Sequence, residues 1–335
     1  MREWPYSNTG MNAPSADRKS EIKEKLAQAR NAMIEVIVGQ EHLVERILIA
    51  TLAKGHILLE GVPGLAKTKT VKTFARICQG EWQRIQFTPD LMPSDVTGTR
   101  IWVPDKGDFK TELGPVHTNF LLADEINRAS PKVQSALLQA MEERQVTIGK
   151  KTYTIEEPFM VLATQNPIES EGTYALPAAQ LDRFIMKIGI SYPSKTQEVE
   201  VLRRHIVGDV GAATSLTLQD ILQARELVEA VHVPKEIAGL IVDLVQGTRN
   251  VGTLIPEWSE SVTYGAGVRG SLALMATARA RAFIKGRGEV AVGDVVDLAE
   301  DALAHRLCIS YKGSLEGVTS KMVVERVVRA LLPST

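Results

Sequence analysis

The segment His56-Ile57-Leu58-Leu59-Glu60-Gly61-Val62-Pro63-Gly64-Leu65-Ala66-Lys67-Thr68 constrains this chain more than any other stretch. Ile57, Leu58 and Leu59 form the short apolar run of a strand covered on both faces. Gly61 and Gly64 punctuate a tight loop and free its backbone for steep torsions. From Lys69 to Ile77, the spacing of Val71, Phe74, Ala75 and Ile77 predicts a helix packed on one side. A helix start offers unpaired N–H groups and the positive end of a dipole, which suits an anion. Lys67 adds a mobile charge for outer phosphates, and the Thr68 hydroxyl can sit on Mg²⁺. The general phosphate loop reads G-x-x-x-x-G-K-[ST], and Ala66 stands at its second glycine, one methyl group away. An ordinary turn is the alternative; the strand before and the helix after favour the phosphate loop.

Further apolar runs repeat this strand pattern. Trp82 to Phe87 is a second strand, and Phe120 to Glu125 a third that ends in two acids, Asp124 and Glu125. Acids at a strand end are commonly just solvated. After a phosphate loop, the sharper reading is that Asp124 holds Mg²⁺ through a water while Glu125 polarises an attacking water. Phe159 to Ala163 is a fourth strand, delivering Thr164, Gln165 and Asn166 to the same edge as Glu125; Asn166 precedes Pro167, so turn capping is its other reading. Ile185 to Ile190 is a fifth, led in by Leu181-Asp182-Arg183-Phe184, where Arg183 could simply pair with Asp182. Ser130 and Pro131 mark a helix start. Thr99 to Val103 with Phe109 to Leu113, and Val146 to Ile148 with Thr152 to Ile155, read as two hairpins outside the central sheet.

Residues 1–17 lack periodicity and read as a disordered tail, with helices from Arg18 to Glu35 and on to Lys54; Val36 to Gln40 is an apolar linker between them. Residues 18–193 then form a nucleotide-binding α/β unit, and from residue 194 to residue 335 the pattern is helical. The last unit holds a glycine-rich loop ending in Gly265-Ala266-Gly267-Val268-Arg269. Arg269 at a helix start opposes the dipole, which suggests an anionic partner or, more blandly, a surface salt bridge.

The 335 residues suffice for two domains and a large core. A net charge of −1, with no basic domain, disfavours nucleic acid as the main partner. Cys78 and Cys308 lack C-x-x-C spacing and read as thiols of a reducing cytosol. No apolar run reaches membrane-spanning length and no signal-peptide core follows Met1, so a cytoplasmic location without a membrane span is expected.

Together these motifs resemble the MoxR family of AAA+ ATPases. Gly61 to Thr68 is similar to its phosphate loop, Leu122 to Ala129 to its Walker B segment, Ala163 to Pro167 to its sensor 1, Leu181 to Phe184 to its arginine-finger segment, and Gly265 to Arg269 to its sensor 2. The resemblance covers about residues 18–333 and implies a five-stranded parallel α/β sheet with a small C-terminal all-α lid. It implies ATP and Mg²⁺ as cofactors, with Gly61, Val62, Pro63, Gly64, Leu65, Ala66, Lys67, Thr68, Lys69 and Arg269 at the nucleotide and Val38 and Gly39 against adenine. Lys67, Glu125, Asn166 and Arg183 are the implied catalytic residues, and Thr68 and Asp124 the metal-side residues. A hexameric ring, a von Willebrand factor A domain partner and chaperone-like remodelling of a protein client, sometimes through metal insertion, are implied as well. An ATP-hydrolysing remodeller and an ATP-dependent assembly switch both remain open; Glu125, Asn166 and Arg183 together favour hydrolysis.

Overall fold

The computed structural model of the protein describes residues 16–61, 67–166, 172–207 and 216–332. Two helices, α1 (Ala16–Val36) and α2 (Glu41–Leu52), precede β1 (Ile57–Glu60), α3 (Lys67–Ile77) and β2 (Trp82–Gln86). A short α4 (Pro93–Thr97) leads into the hairpin β3 (Gly98–Val103) and β4 (Asp108–Leu113). Then come β5 (Phe120–Asp124), α5 (Pro131–Glu143), a second hairpin of β6 (Gln145–Ile148) and β7 (Lys151–Thr154), β8 (Met160–Gln165), α6 (Ala178–Leu181) and β9 (Met186–Gly189). The rest is largely helical: α7 (Lys195–Val207), α8 (Leu218–Glu229), α9 (Lys235–Arg249), α10 (Val251–Leu254), β10 (Val262–Tyr264), α11 (Val268–Ile284), α12 (Val292–Leu303), β11 (Cys308–Ile309), α13 (Tyr311–Leu315) and α14 (Ser320–Leu331). All but the last two positions of the expected N-terminal tail lie outside the described residues, and Ala16 and Asp17 already belong to α1.

The central sheet has five parallel strands in the order β2-β5-β8-β1-β9. Its inner strands are buried on both faces, so each splits its side chains between two apolar clusters. Ile57, Leu59, Phe120, Leu122, Met160 and Leu162 pack on the face of α1, α2 and α3. Their neighbours Leu58, Leu121, Ala123, Val161 and Ala163 pack on the opposite face with Leu137 and Met141 of α5. This two-sided burial is why the strands read as unbroken apolar runs. The first cluster continues without a gap into the C-terminal helices through Leu244, Phe283, Leu298 and Val323.

Both hairpins stand apart from this sheet as separate two-stranded ribbons. Gly149 turns the second at φ +66, a conformation that favours glycine. Ser130 is the N-cap of α5, with Pro131 at the first helical position, but its side chain makes no capping bond. The glycine-rich stretch before Arg269 carries more structure than the sequence suggests: α10, and β10 paired antiparallel with β11.

His56 ties these layers together at the start of β1. Its Nδ1 accepts the Val161 N–H at 2.9 Å, so its Nε2–H donates to the Met141 carbonyl at 3.2 Å. Burial, reinforced by the Arg144 and Arg225 cations, pushes its pKa down to about 3. Below the ordinary histidine value of about 6.5 the unfolded chain takes up a proton that the folded chain refuses, so stability falls as pH drops from there towards 3. His56→Gln is therefore expected to be less stable at pH 8 but less pH-dependent between pH 6 and 4. Unfolding free energies from urea titrations should show a slope against pH shallower by about 1.4 kcal/mol per pH unit, one proton's worth.

Candidate functional site

Parallel strands deliver their C-terminal ends to one edge, and the acids and amides of the sequence motifs meet there. Asp124 ends β5, and Glu125 follows it in a left-handed conformation, φ +57. A non-glycine residue held there stores strain and marks a position set by its surroundings. The buried Thr164 of β8 supplies the support: its hydroxyl accepts the Glu125 N–H at 2.8 Å and donates to Asp124 Oδ1 at 2.7 Å. Arg84 of β2 takes the other Asp124 oxygen at 2.7 Å. Gln86, at the end of β2, donates to Glu125 Oε2 at 2.8 Å, and Arg128 approaches the same oxygen at 3.1 Å. Asn166, buried at the end of β8, accepts an Asn127 amide bond at its carbonyl, 3.4 Å.

Lys67 opens α3 at this edge and donates to the Gly61 carbonyl at 3.0 Å. Half-burial lowers its pKa, while the charges of Asp124 and Glu125 pull it back up, which places the ammonium within the field of both acids. Thr68 and the exposed Lys69 line a cleft of about 620 Å³ along α3, with Lys72, Arg76 and Trp82. Val38 and Gly39 form the turn between α1 and α2. Gln40 beside them donates to the Ser191 carbonyl at 3.4 Å, just past β9, so this turn also lies at the C-terminal edge. Gly39 has φ +74, and a Cβ there would sit 2.8 Å from Gln197 of α7. Val62, Pro63, Gly64, Leu65 and Ala66 lie outside the described residues. A half-buried cation facing two carboxylates, one already doubly hydrogen-bonded, is a donor set that fits a triphosphate carrying a divalent cation. Among the described residues, no cluster of three or more His, Cys, Asp or Glu could hold a metal by itself.

Arg183 and Arg269 are elsewhere. Arg183 precedes β9, whose first residue, Met186, pairs with Ile57 at the start of β1. It therefore stands at the N-terminal edge of the sheet, a full strand length of about 13 Å from the acids. Its partner is Glu142 near the end of α5, at 3.0 Å, and not the adjacent Asp182. Arg269 joins it there, bonding the other Glu142 oxygen at 2.5 Å. Asp182 is taken instead by Arg306, whose buried guanidinium also donates to the Phe184 carbonyl at 2.9 Å. These charges line a cavity of about 340 Å³ floored by His56, Met141 and Ile185.

The sequence places Thr164 at this edge with Gln165 and Asn166, but its bonds to Asp124 and Glu125 emerge only in the fold. Gln86, Glu142 and Arg306 carry no local motif and become visible only once distant segments pack.

On this sheet the strand that precedes Lys67 and Thr68 neighbours the strand that ends in the amides, and the acids end the strand beyond it, the arrangement of the AAA+ class of P-loop ATPases. Residues 56–186 match the family model for the ATPase family associated with various cellular activities, and residues 258–327 match the AAA lid domain. The chain is 47% identical over 300 residues to Chaperone MoxR1 of Mycobacterium tuberculosis, covering 88% of this chain and 79% of that protein. It is 30% identical over 315 residues to Protein MoxR of Methylorubrum extorquens, covering 85% and 88% respectively. A crystal structure of a Cytophaga hutchinsonii protein superimposes with TM-score 0.88 and 41% identity, covering 94% of this chain and 96% of that one. The chain belongs to the MoxR family of AAA+ ATPases.

Arg306 clamps the segment that carries Arg183. Arg306→Leu is expected to cost about 2–4 kcal/mol, as buried charge-assisted bonds to Asp182 and Phe184 are lost. Thermal unfolding should report the loss, and amide exchange at residues 182–185 should accelerate more than at β5 or β8.

Proposed function

We propose that this protein hydrolyses ATP at the junctions of a ring, hexameric in its family pattern, and uses the cycle to remodel a client protein in the cytoplasm. The observation that carries this reading is the division of the site between two sheet edges. Lys67, Asp124, Glu125 and Asn166 share the C-terminal edge, whereas Arg183 and Arg269 face out from the opposite one. One chain cannot fold its own arginines onto its own phosphates, but the next subunit can supply them. Both arginines thus act in trans.

In this reading the backbone of Gly61 to Ala66 and Lys67 cradle the phosphates, with Lys69 beside them and the Val38–Gly39 turn against adenine. Thr68 and Asp124 would hold Mg²⁺, which neutralises charge on the β- and γ-phosphates when bound. Glu125 orients and polarises the attacking water, and Asn166 fixes that water's position. The neighbour's Arg183 and Arg269 stabilise charge developing in the transition state, a contribution worth about 10³–10⁵ in turnover in comparable systems. The name of the M. tuberculosis relative supports a chaperone-like role. A magnesium-chelatase 38 kDa subunit of Cereibacter sphaeroides, 24% identical over 340 residues, lends weight to metal insertion as one form of client activation. A partner with a von Willebrand factor A domain belongs to the same reading.

One observation favours a second reading, an assembly switch with little turnover: Glu125 is engaged by Gln86 and Arg128. Steady-state phosphate release separates the two. Wild type is expected to hydrolyse ATP with a specific activity that rises with protein concentration. Lys67→Ala should weaken nucleotide binding, and Glu125→Gln should bind ATP without turning it over. Arg183→Ala should keep nucleotide affinity yet lose hydrolysis, and mixing it with Glu125→Gln should restore part of the activity. Equal turnover by wild type and Glu125→Gln would leave the switch.

The β3–β4 hairpin is the proposed client contact. Trp102 and Phe109 face each other across it, ring centroids 5.0 Å apart, and both are about half exposed, as are Ile101 and Leu113. Exposed aromatics on a ribbon inserted just before the strand bearing Asp124 suit a contact surface driven by the nucleotide site. Shortening the tip at Pro104 to Asp108, or replacing Trp102 and Phe109 with alanine, should leave basal hydrolysis intact and abolish partner-stimulated turnover. Unchanged stimulation would remove the hairpin from the mechanism.

A further inference from the structure

Five charges of alternating sign run from the helical lid to the finger. Arg306, buried beneath α12, holds Asp182 at 2.8 Å; Asp182 lies 3.9 Å from Arg269; Arg269 binds Glu142 at 2.5 Å; and Glu142 binds Arg183 at 3.0 Å. Exposure rises from 3% at the Arg306 side chain to 48% at Arg269 and falls back to 31% at Arg183. Glu142 is its pivot, with one carboxylate oxygen on each of the two outward arginines.

Stability does not account for this pivot. Ion pairs this exposed contribute little to folding. Both charges also sit at the wrong ends of their helices. Glu142 lies in the last turn of α5, where the dipole repels an anion, and Arg269 in the first turn of α11, where it repels a cation. Each helix would be better off without its charge, and the mismatch is relieved only because the two meet. What the arrangement provides is geometry. Two guanidiniums that would repel and wander are held side by side at one mouth, with the backbone behind Arg183 fixed by Arg306.

We propose that Glu142 is a positioning residue that yokes Arg183 and Arg269 into a single two-pronged cation for the triphosphate of the adjoining subunit. This rests on the neighbour-completed site described above. Without the yoke, each arginine must be ordered separately as the transition state forms, so the loss falls on turnover and not on ATP binding, which the other edge carries.

Steady-state ATPase assays of the full-length assembly, with MgATP as substrate, test this. Glu142→Gln is expected to lower kcat by roughly tenfold to a hundredfold with KM for ATP unchanged. Glu142→Asp, which keeps the charge, should recover part of the loss. In the Arg269→Ala background Glu142→Gln should cost little more, because the yoke then has one prong to hold. Glu142→Ala, expected to unfold at the same temperature as wild type, checks that the carboxylate and not the fold is responsible. Wild-type or increased kcat in Glu142→Gln, full additivity with Arg269→Ala, or no recovery in Glu142→Asp would each overturn the proposal while leaving the ring reading intact. If Arg183→Ala itself turns over like wild type, the neighbour-completed site falls, and the yoke falls with it.

Discussion

The structure depends on a parallel sheet whose inner strands are covered on both faces. Such strands can carry almost nothing but apolar side chains along their length, as Ile57 to Leu59, Phe120 to Ala123 and Met160 to Ala163 do. Chemistry is thereby displaced to the strand ends, and parallel pairing decides which ends. Every strand contributes its last residues to one edge and its first residues to the other. Asp124, Gln165 and Asn166 therefore fall together because of strand direction alone, and Arg183, which precedes β9, is excluded by the same rule.

At the acidic edge, the buried Thr164 hydroxyl converts this placement into an orientation. It donates to Asp124 and accepts from the Glu125 backbone, spending its proton on the charged group and a lone pair on the N–H. The backbone leaves β5 in a left-handed turn at Glu125, so the two successive acids project differently despite being neighbours in sequence. Arg84 and Gln86, alternate residues of the edge strand β2, then reach Asp124 and Glu125 respectively. Two adjacent carboxylates acquire distinct partners, the precondition for distinct roles.

Much of this was legible before folding. The strand before Lys67 and the helix it opens, the acids after Phe120 and the amides after Phe159 are local patterns with mechanical reasons for their spacing, and the five parallel strands and largely helical C-terminal region agree with them. What escaped is non-local. The pairing of β10 with β11 joins residues more than forty positions apart, and β11 is only two residues long, too short to leave a periodic trace. The expected alternative partner of Arg183 was its neighbour Asp182, because adjacency is all that a sequence displays. In the fold, adjacent residues of that turn diverge, and Glu142 arrives from a helix far away in the chain. The unfavourable placement of Arg269 against its helix dipole was readable, and what meets it in the fold is the plainer of the two readings, a surface salt bridge, with Glu142.

The lid bears on how such a molecule can move. It shares its apolar cluster with α1, α2 and the sheet, so lifting it away would expose a continuous core. Buried charges reinforce the join at two separated points. Arg46 of α2, 2% exposed, reaches across to Asp301 at 2.7 Å and Asp297 at 2.9 Å on α12, and Arg306 reaches back to Asp182 in the segment before β9. Separating either would strand a cation in an apolar setting, which costs far more than an exposed pair contributes. With the lid anchored at both points, the contacts that can rearrange at least cost are those that are half exposed and lie where the apolar core ends, among them the ion pairs of Glu142 with Arg183 and Arg269.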